Sequence, residues 1–130
     1  MTPYLAFQGN CEEALNFYVK VFNGKIETLH RYEGSPMEGQ IPADFKGKVM
    51  HGSMTSPSGT LMASDTSQEL TEGSRICLSL NADEAEGQRI FDALAEGGKV
   101  TMPLQDVFWG GKFGMVTDKY DFAWMMSIGH

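Results

Sequence analysis

The feature that most constrains this chain is a pair of matching helix entries, each set between a short apolar run and three further strand-like runs. The first follows Pro3-Tyr4-Leu5-Ala6-Phe7, an apolar and partly aromatic stretch that runs into the breaker Gly9-Asn10. Asn10 is placed to cap the free N–H groups of a first helical turn, with Glu13 positioned to reach back in capping-box fashion. Ala14, Leu15, Phe17, Tyr18, Val21 and Phe22 then fall at helical spacing and make one apolar stripe, which Asn23-Gly24 terminates. The second entry follows residues 75–81. Asp83 and Glu86 repeat the capping pattern, Ile90, Phe91, Leu94 and Ala95 form the stripe, and Gly97-Gly98 ends it. Laying Asn10 on Asp83 also lays Phe17-Tyr18 on Ile90-Phe91.

After the first helix, strand patterns cover residues 25–32, 49–56 and 60–64, the last two joined by a turn at Ser56-Pro57-Ser58-Gly59. After the second they cover residues 99–104, 112–117 and 122–128. The economical reading is a duplicated βαβββ unit. It predicts an α+β fold, one domain of two modules at about residues 1–66 and 74–130. Two stretches escape the pattern: 33–48, a long loop rich in Pro, Gly and acids, and the polar connection 67–73. A loop of the first kind serves either as a binding lid or as a solvated excursion.

Composition narrows the function. Ten Lys and Arg against 17 Asp and Glu leave a formal charge of −7, and no two basic residues are adjacent. Nucleic-acid binding, which needs clustered cations, is not expected. No apolar run approaches the roughly 18 residues of a membrane span, and the opening residues lack a signal-peptide pattern, so a cytoplasmic protein is expected. Cys11 and Cys77 form no CxxC or Cys/His cluster and read as reduced structural thiols.

Chemistry-bearing residues are few. Of the histidines, His30 sits beside Arg31 and His130 ends the chain, while His51 opens an apolar strand just before the hairpin that ends at Asp65. A histidine near a carboxylate is either a base with its orienter, half of a metal site, or a structural pair. The run Asp106-Val107-Phe108-Trp109-Gly110-Gly111-Lys112-Phe113-Gly114 gathers aromatics, glycines and one cation. It lacks the spacing of a phosphate loop, and it reads either as the border of a hydrophobic pocket, with Phe108 or Trp109 stacking on a ligand, or as an end plug. Nine methionines suit an adaptable apolar cavity or an ordinary core. The common serine-nucleophile, zincin and dinucleotide motifs are absent.

The segments TPYLAFQGNCEEALNFYVKVFNG, VMHGSM, LMASD and FWGGKFGMVTDKYDFAWMMSI together resemble the PhnB-like branch of the vicinal oxygen chelate (glyoxalase/bleomycin-resistance) superfamily, over nearly the whole chain. The resemblance implies two βαβββ modules whose sheets curl round a cavity, often in a homodimer. Superfamily enzymes hold a divalent metal with four side chains on the first and last strands of the modules. Those positions fall here on Pro3 (or Thr2), Ala63, Ile76 (or Arg75) and Met125. None is a usual ligand, so neither a metal nor another cofactor is expected. Relatives carry a 3-demethylubiquinone methyltransferase label, for which no glycine-rich methyl-donor motif is present, and others a link to phosphonates, for which Arg31 or Lys112 would be the local cation.

If those four positions line the cavity, strand alternation brings Leu5, Phe7, Leu61, Asp65, Leu78, Leu80 and Ala123 inward with them. The expected site is an apolar cleft with His51 and Asp65 at a polar corner, Phe7 on its wall, and Phe108, Trp109 and Lys112 at its rim. The function expected is binding of an unidentified small molecule by a metal-free cytoplasmic homodimer, with no nucleic-acid or membrane partner. The alternatives are an enzyme with a non-standard site, and a dimeric protein-interaction module.

Overall fold

In a computed structural model, which describes residues 1–71, 73 and 75–129, the chain divides into two compact units, Met1–Thr71 and Glu72–His130. The first unit runs β1 (Tyr4–Phe7), α1 (Cys11–Phe22), β2 (Lys25–Arg31), β3 (Val49–Ser56) and β4 (Gly59–Asp65). The second repeats it as β5 (Leu78–Ala82), α2 (Glu84–Ala95), β6 (Lys99–Asp106), β7 (Lys112–Thr117) and β8 (Ala123–Ile128). Each unit builds one four-stranded mixed sheet, in the orders β1-β4-β3-β2 and β5-β8-β7-β6. The first and last strands of each unit are parallel neighbours and the other pairs antiparallel. The duplicated α+β architecture expected from the sequence is the one observed.

Each helix packs on one face of its own sheet, and a mid-strand glycine marks the place. A Cβ on Gly52 would stand 2.7 Å from Leu15 Cδ1 in α1, and one on Gly114 would stand 3.0 Å from Phe91 Cε2 in α2. Gly52 pairs with Ala63 as Gly114 pairs with Met126, so the two glycines hold the same station. Alternation then assigns every strand residue to a face. Leu5, Phe7, Leu61, Ala63 and Asp65 lie under α1, whose own buried stripe is Cys11, Ala14, Leu15, Tyr18, Val21 and Phe22. Leu80, Val116, Trp124, Met126 and Ile128 lie under α2 against Ile90, Phe91 and Leu94. Burying a side chain of this size is worth about 1.5–3 kcal/mol, so these two stripes hold the helices in place.

Two local expectations change. Asn10 makes no side-chain cap; its φ of −114° and ψ of 23° differ from the extended conformation a capping residue adopts. The N–H of Cys11, the first residue of α1, is taken by Asp65 instead, together with that of Gly9 just before the helix, whereas Asp83 caps α2 as expected, its Oδ1 accepting from the Glu86 N–H at 2.8 Å. The first strand of the second unit begins at Leu78 rather than residue 75, because pairing starts where Leu78 meets Trp124 in β8. Ile76 is left 84% exposed. The long loop is less irregular than its composition suggests. It contains the 3₁₀ turns Glu38–Gln40 and Ala43–Phe45 and is closed at its base by Tyr32 N–H to Lys48 O and Glu33 N–H to Lys46 O.

Candidate functional site

The sheet faces turned away from the helices carry side chains that no helix of the same unit covers. In the first unit that face carries Tyr4 and Ala6 from β1, Met62 and Ser64 from β4, His51 and Ser53 from β3, and Thr28 and His30 from β2. His30 and His51 are direct cross-strand partners. Tyr4 Oη lies 3.2 Å from His51 Nδ1, with the two rings 5.8 Å apart.

The open face of the second unit is of another character. Met102 pairs with Met115, and Met115 with Met125, so three thioethers form one row across β6, β7 and β8. All three are half-buried. Phe113 follows Met115 on the same face of β7, and its ring lies 6.3 Å from that of Trp109. Trp109 and Phe108 stand edge to face, 4.9 Å apart, on the turn between β6 and β7. Phe108 is 96% and Trp109 56% exposed. Large apolar side chains so exposed on a glycine-flanked turn are available to a ligand or a partner.

Asp65 does not meet His51. The turn pairs Ser56 with Gly59 and Gly52 with Ala63; continuing that register sets Asp65 beside Met50, one residue off His51 and on the opposite face. Asp65 is 1% exposed, and its carboxylate is fully engaged. Oδ1 accepts from the N–H groups of Gly9 (2.8 Å) and Cys11 (2.9 Å), and Oδ2 from that of Val49 (3.0 Å). The residue clamps the entry of α1 to the start of β3. Phe7 shares its face and is a core residue rather than a cavity wall. The same argument divides the residues placed together in one cavity wall: Leu5, Leu61, Leu78 and Leu80 face the helices, and Ala123 and Met125 face away. An acid–base pair of His51 with Asp65 is thereby excluded.

The two candidate cations, Arg31 and Lys112, are partnered. Arg31 grips Glu12 with two hydrogen bonds of 3.0 and 2.9 Å and donates a third to Gly47 O. That grip holds the Glu12 carboxyl below its usual range. Lys112 Nζ lies 3.9 Å from Glu84 Oε1. Burial, with Asp65 and Glu12 nearby, pushes the Cys11 thiol up to about 12, and burial also raises that of Cys77. Neither is an activated nucleophile.

The superfamily's divalent ion finds no fit among these residues. The open faces of the first and last strands present Tyr4, Ala6, Met62 and Ser64 in one unit and Ser79, Asn81, Ala123, Met125 and Ser127 in the other. These are not the imidazole and carboxylate donors such an ion takes. Among the described residues no three His, Cys, Asp or Glu converge. No helix among them is long and apolar enough to cross a membrane.

Paired βαβββ units with one helix on one face of each sheet define a protein of the glyoxalase/bleomycin-resistance fold. A domain of that description from Frankia sp. EAN1pec superposes with a TM-score of 0.70 at 14% identity, covering 99% of this chain and 90% of the other. Within that fold, the chain belongs to the family described as 3-demethylubiquinone-9 3-methyltransferase, the PhnB-like branch, whose sequence model matches residues 1–127. It is similar to protein PA1353 from Pseudomonas aeruginosa, with 42% identity, coverage of 98% and 96% of the two chains, and a TM-score of 0.85. It is also similar to a PhnB protein from Bacillus cereus, with 28% identity, coverage of 99% and 98%, and a TM-score of 0.82.

The residues that sequence reasoning passed over are His30 and the methionine row. His30 was legible only as a strand residue, because its partner depends on a register set across the long loop 33–48 and a bulge beside Arg31. The methionines were visible in number but not in alignment, since β6 is irregular on both sides of Met102.

Proposed function

We propose that this protein binds an apolar small molecule on the open face of its second sheet, without using the superfamily's metal chemistry. The observation that carries the reading is the half-buried row Met102–Met115–Met125, continued by Phe113 to the exposed pair Trp109 and Phe108. Thioethers are polarizable and rotate about three bonds, so a row of them adapts to ligands of different outline, and aromatic rings at one end add a stacking surface. Lys112 is not part of this surface: it alternates with Phe113 onto the α2 side of β7, where its Nζ lies 3.9 Å from Glu84 Oε1. A second copy of the chain, related by two-fold symmetry, belongs to the same reading, as that is the commonest way to cover sheet edges and apolar faces.

The methyltransferase description of the family does not enter this reading. Among the described residues, neither strand-to-helix turn, residues 8–10 after β1 or Asp83 after β5, is the glycine-rich kind with which methyl donors are commonly held.

The test uses 8-anilinonaphthalene-1-sulfonate as the probe. The folded protein is expected to bind it saturably with enhanced fluorescence. Trp109→Ala should weaken binding by about 1–3 kcal/mol, the worth of a stacked or buried aromatic contact. Met115→Asp, which puts a charge in the middle of the row, should abolish it. A parent that gives no saturable signal, or variants that bind as the parent does, would remove the ligand from this face.

A further inference from the structure

The two histidines on the first sheet carry an inference independent of the apolar face. We propose that His30 and His51 form a cross-strand chelate for a divalent transition-metal ion, with Tyr4 positioning the ring of His51. Direct partners on antiparallel strands have Cβ atoms about 4.5–5.5 Å apart and side chains on one face. Two imidazoles so placed reach one ion at the usual metal–nitrogen distance of about 2.0–2.1 Å by rotation about their side-chain bonds. His30 and His51 are such partners, on β2 and β3, and both project from the face opposite α1.

A second observation points the same way. A histidine that ligates through one nitrogen is commonly fixed by a hydrogen bond at the other, which sets its tautomer and orientation. His51 Nδ1 has Tyr4 Oη at 3.2 Å. With Nδ1–H donating to that oxygen, Nε2 keeps its lone pair and is the atom left for the ion. His51 is half-buried and so held in place, while His30 is exposed and can swing onto an incoming ion. Two protein nitrogens leave the remaining positions of the ion to water or to an anionic ligand. The strands involved are the second and third of the unit, not the first and last that carry the superfamily's metal, so this would be a separate site.

The experiment titrates tag-free protein with Cu²⁺, which gives the tightest complexes of the divalent series with nitrogen donors. Calorimetry follows affinity, and electron paramagnetic resonance counts the equatorial nitrogens. One ion per chain with two imidazole nitrogens is expected. His30→Gln and His51→Gln should each remove one nitrogen and weaken binding at least about tenfold, while Tyr4→Phe should keep both and weaken it less. His130 stays in place throughout. The absence of saturable binding, a parent spectrum with fewer than two imidazole nitrogens, or binding unchanged in either glutamine variant would overturn the proposal. The parent spectrum decides the matter even if a variant fails to fold.

Discussion

The two units meet the same backbone demands with the same residue type, then diverge wherever a side chain has a choice. Gly24 and Gly98 each follow a helix where a Cβ would strike a backbone carbonyl, that of Thr55 in one case and that of Thr117 in the other. Gly52 and Gly114 each let a helix approach mid-strand. At the helix entries the solutions differ. In the first unit a buried carboxylate from the end of β4 takes the N–H groups of Gly9 and Cys11 and also ties down Val49. In the second, the corresponding end of β8 is Ile128, and a local residue, Asp83, does the capping. The second unit spends its own buried carboxylate elsewhere. Asp118, 2% exposed, closes the β7–β8 turn by accepting from the N–H groups of Tyr120 and Phe122 and from Trp124 Nε1 at 2.8 Å. Backbone geometry is thus the conserved currency of the duplication, and polar clamps are local inventions.

The largest test of that contrast sets one entry against the other. Asp65→Ala leaves three N–H groups without their acceptor, two of them in buried hydrogen bonds, and is expected to cost about 3–5 kcal/mol in denaturant unfolding. Asp65→Asn should recover little. One side of its amide is a donor, and whichever way it turns, that side faces an N–H. Asp83→Ala, which removes one exposed cap, should cost about 1 kcal/mol. Equal costs at the two positions would mean that Asp65 is no more than an ordinary cap.

The sequence already showed that a helix would begin near both places, since breakers, apolar stripes and turn residues are local properties. It did not show that Asn10 would be idle. The competing acceptor arrives from a strand that ends far along the chain, and nothing near Asn10 announces it. The pairing of His51 with Asp65 fails for a narrower reason. His51 and Asp65 were placed together on proximity across the hairpin, yet counting residues through the tight Ser56–Gly59 turn sets them one step out of register, and one step in a strand is a change of face. The same count, carried across β2, finds His30. Phe108 and Trp109, which depend only on a local turn, lie on one hairpin beside the methionine face, whereas Lys112 at the start of β7 turns to the α2 side and Glu84.

A smaller effect probes the apolar entry of the second unit. Gly87 in α2 leaves room for Ile128, whose Cδ1 and Cγ1 would each lie 2.6 Å from a Cβ there. Gly87→Ala gains helix propensity of up to about 1 kcal/mol but overpacks this contact, for a net loss of about 1–2 kcal/mol. Adding Ile128→Val removes the Cδ1 methyl and should restore part of the loss. If Gly87→Ala stabilises the protein outright, the close fit of Ile128 is not what holds a glycine in that helix.

The smallest expected effect compares the acidic first turns of the two helices. Glu86 is paired within its own helix, with Arg89, whereas Glu12 is gripped from β2 by Arg31, a residue also bonded to Gly47 O at the base of the long loop. The hydrogen bonds and charge of Arg31 lower the Glu12 pKa in the folded chain. The contribution is therefore present above the ordinary glutamate value of 4.5 and is lost as the pH falls through the lowered folded value. Both side chains are close to half exposed, so solvent screening holds the coupling between them to about 0.2–1 kcal/mol. A double-mutant cycle of Glu12→Gln and Arg31→Gln should return that coupling at pH 7 in low salt, and progressively less of it as the pH falls through the lowered folded value of Glu12. Molar salt should shrink it as well. A coupling that persists in acid would mean that Arg31 acts through Gly47 and the loop rather than through the carboxylate, and that the first helix, like the second, is held by its own residues at this turn.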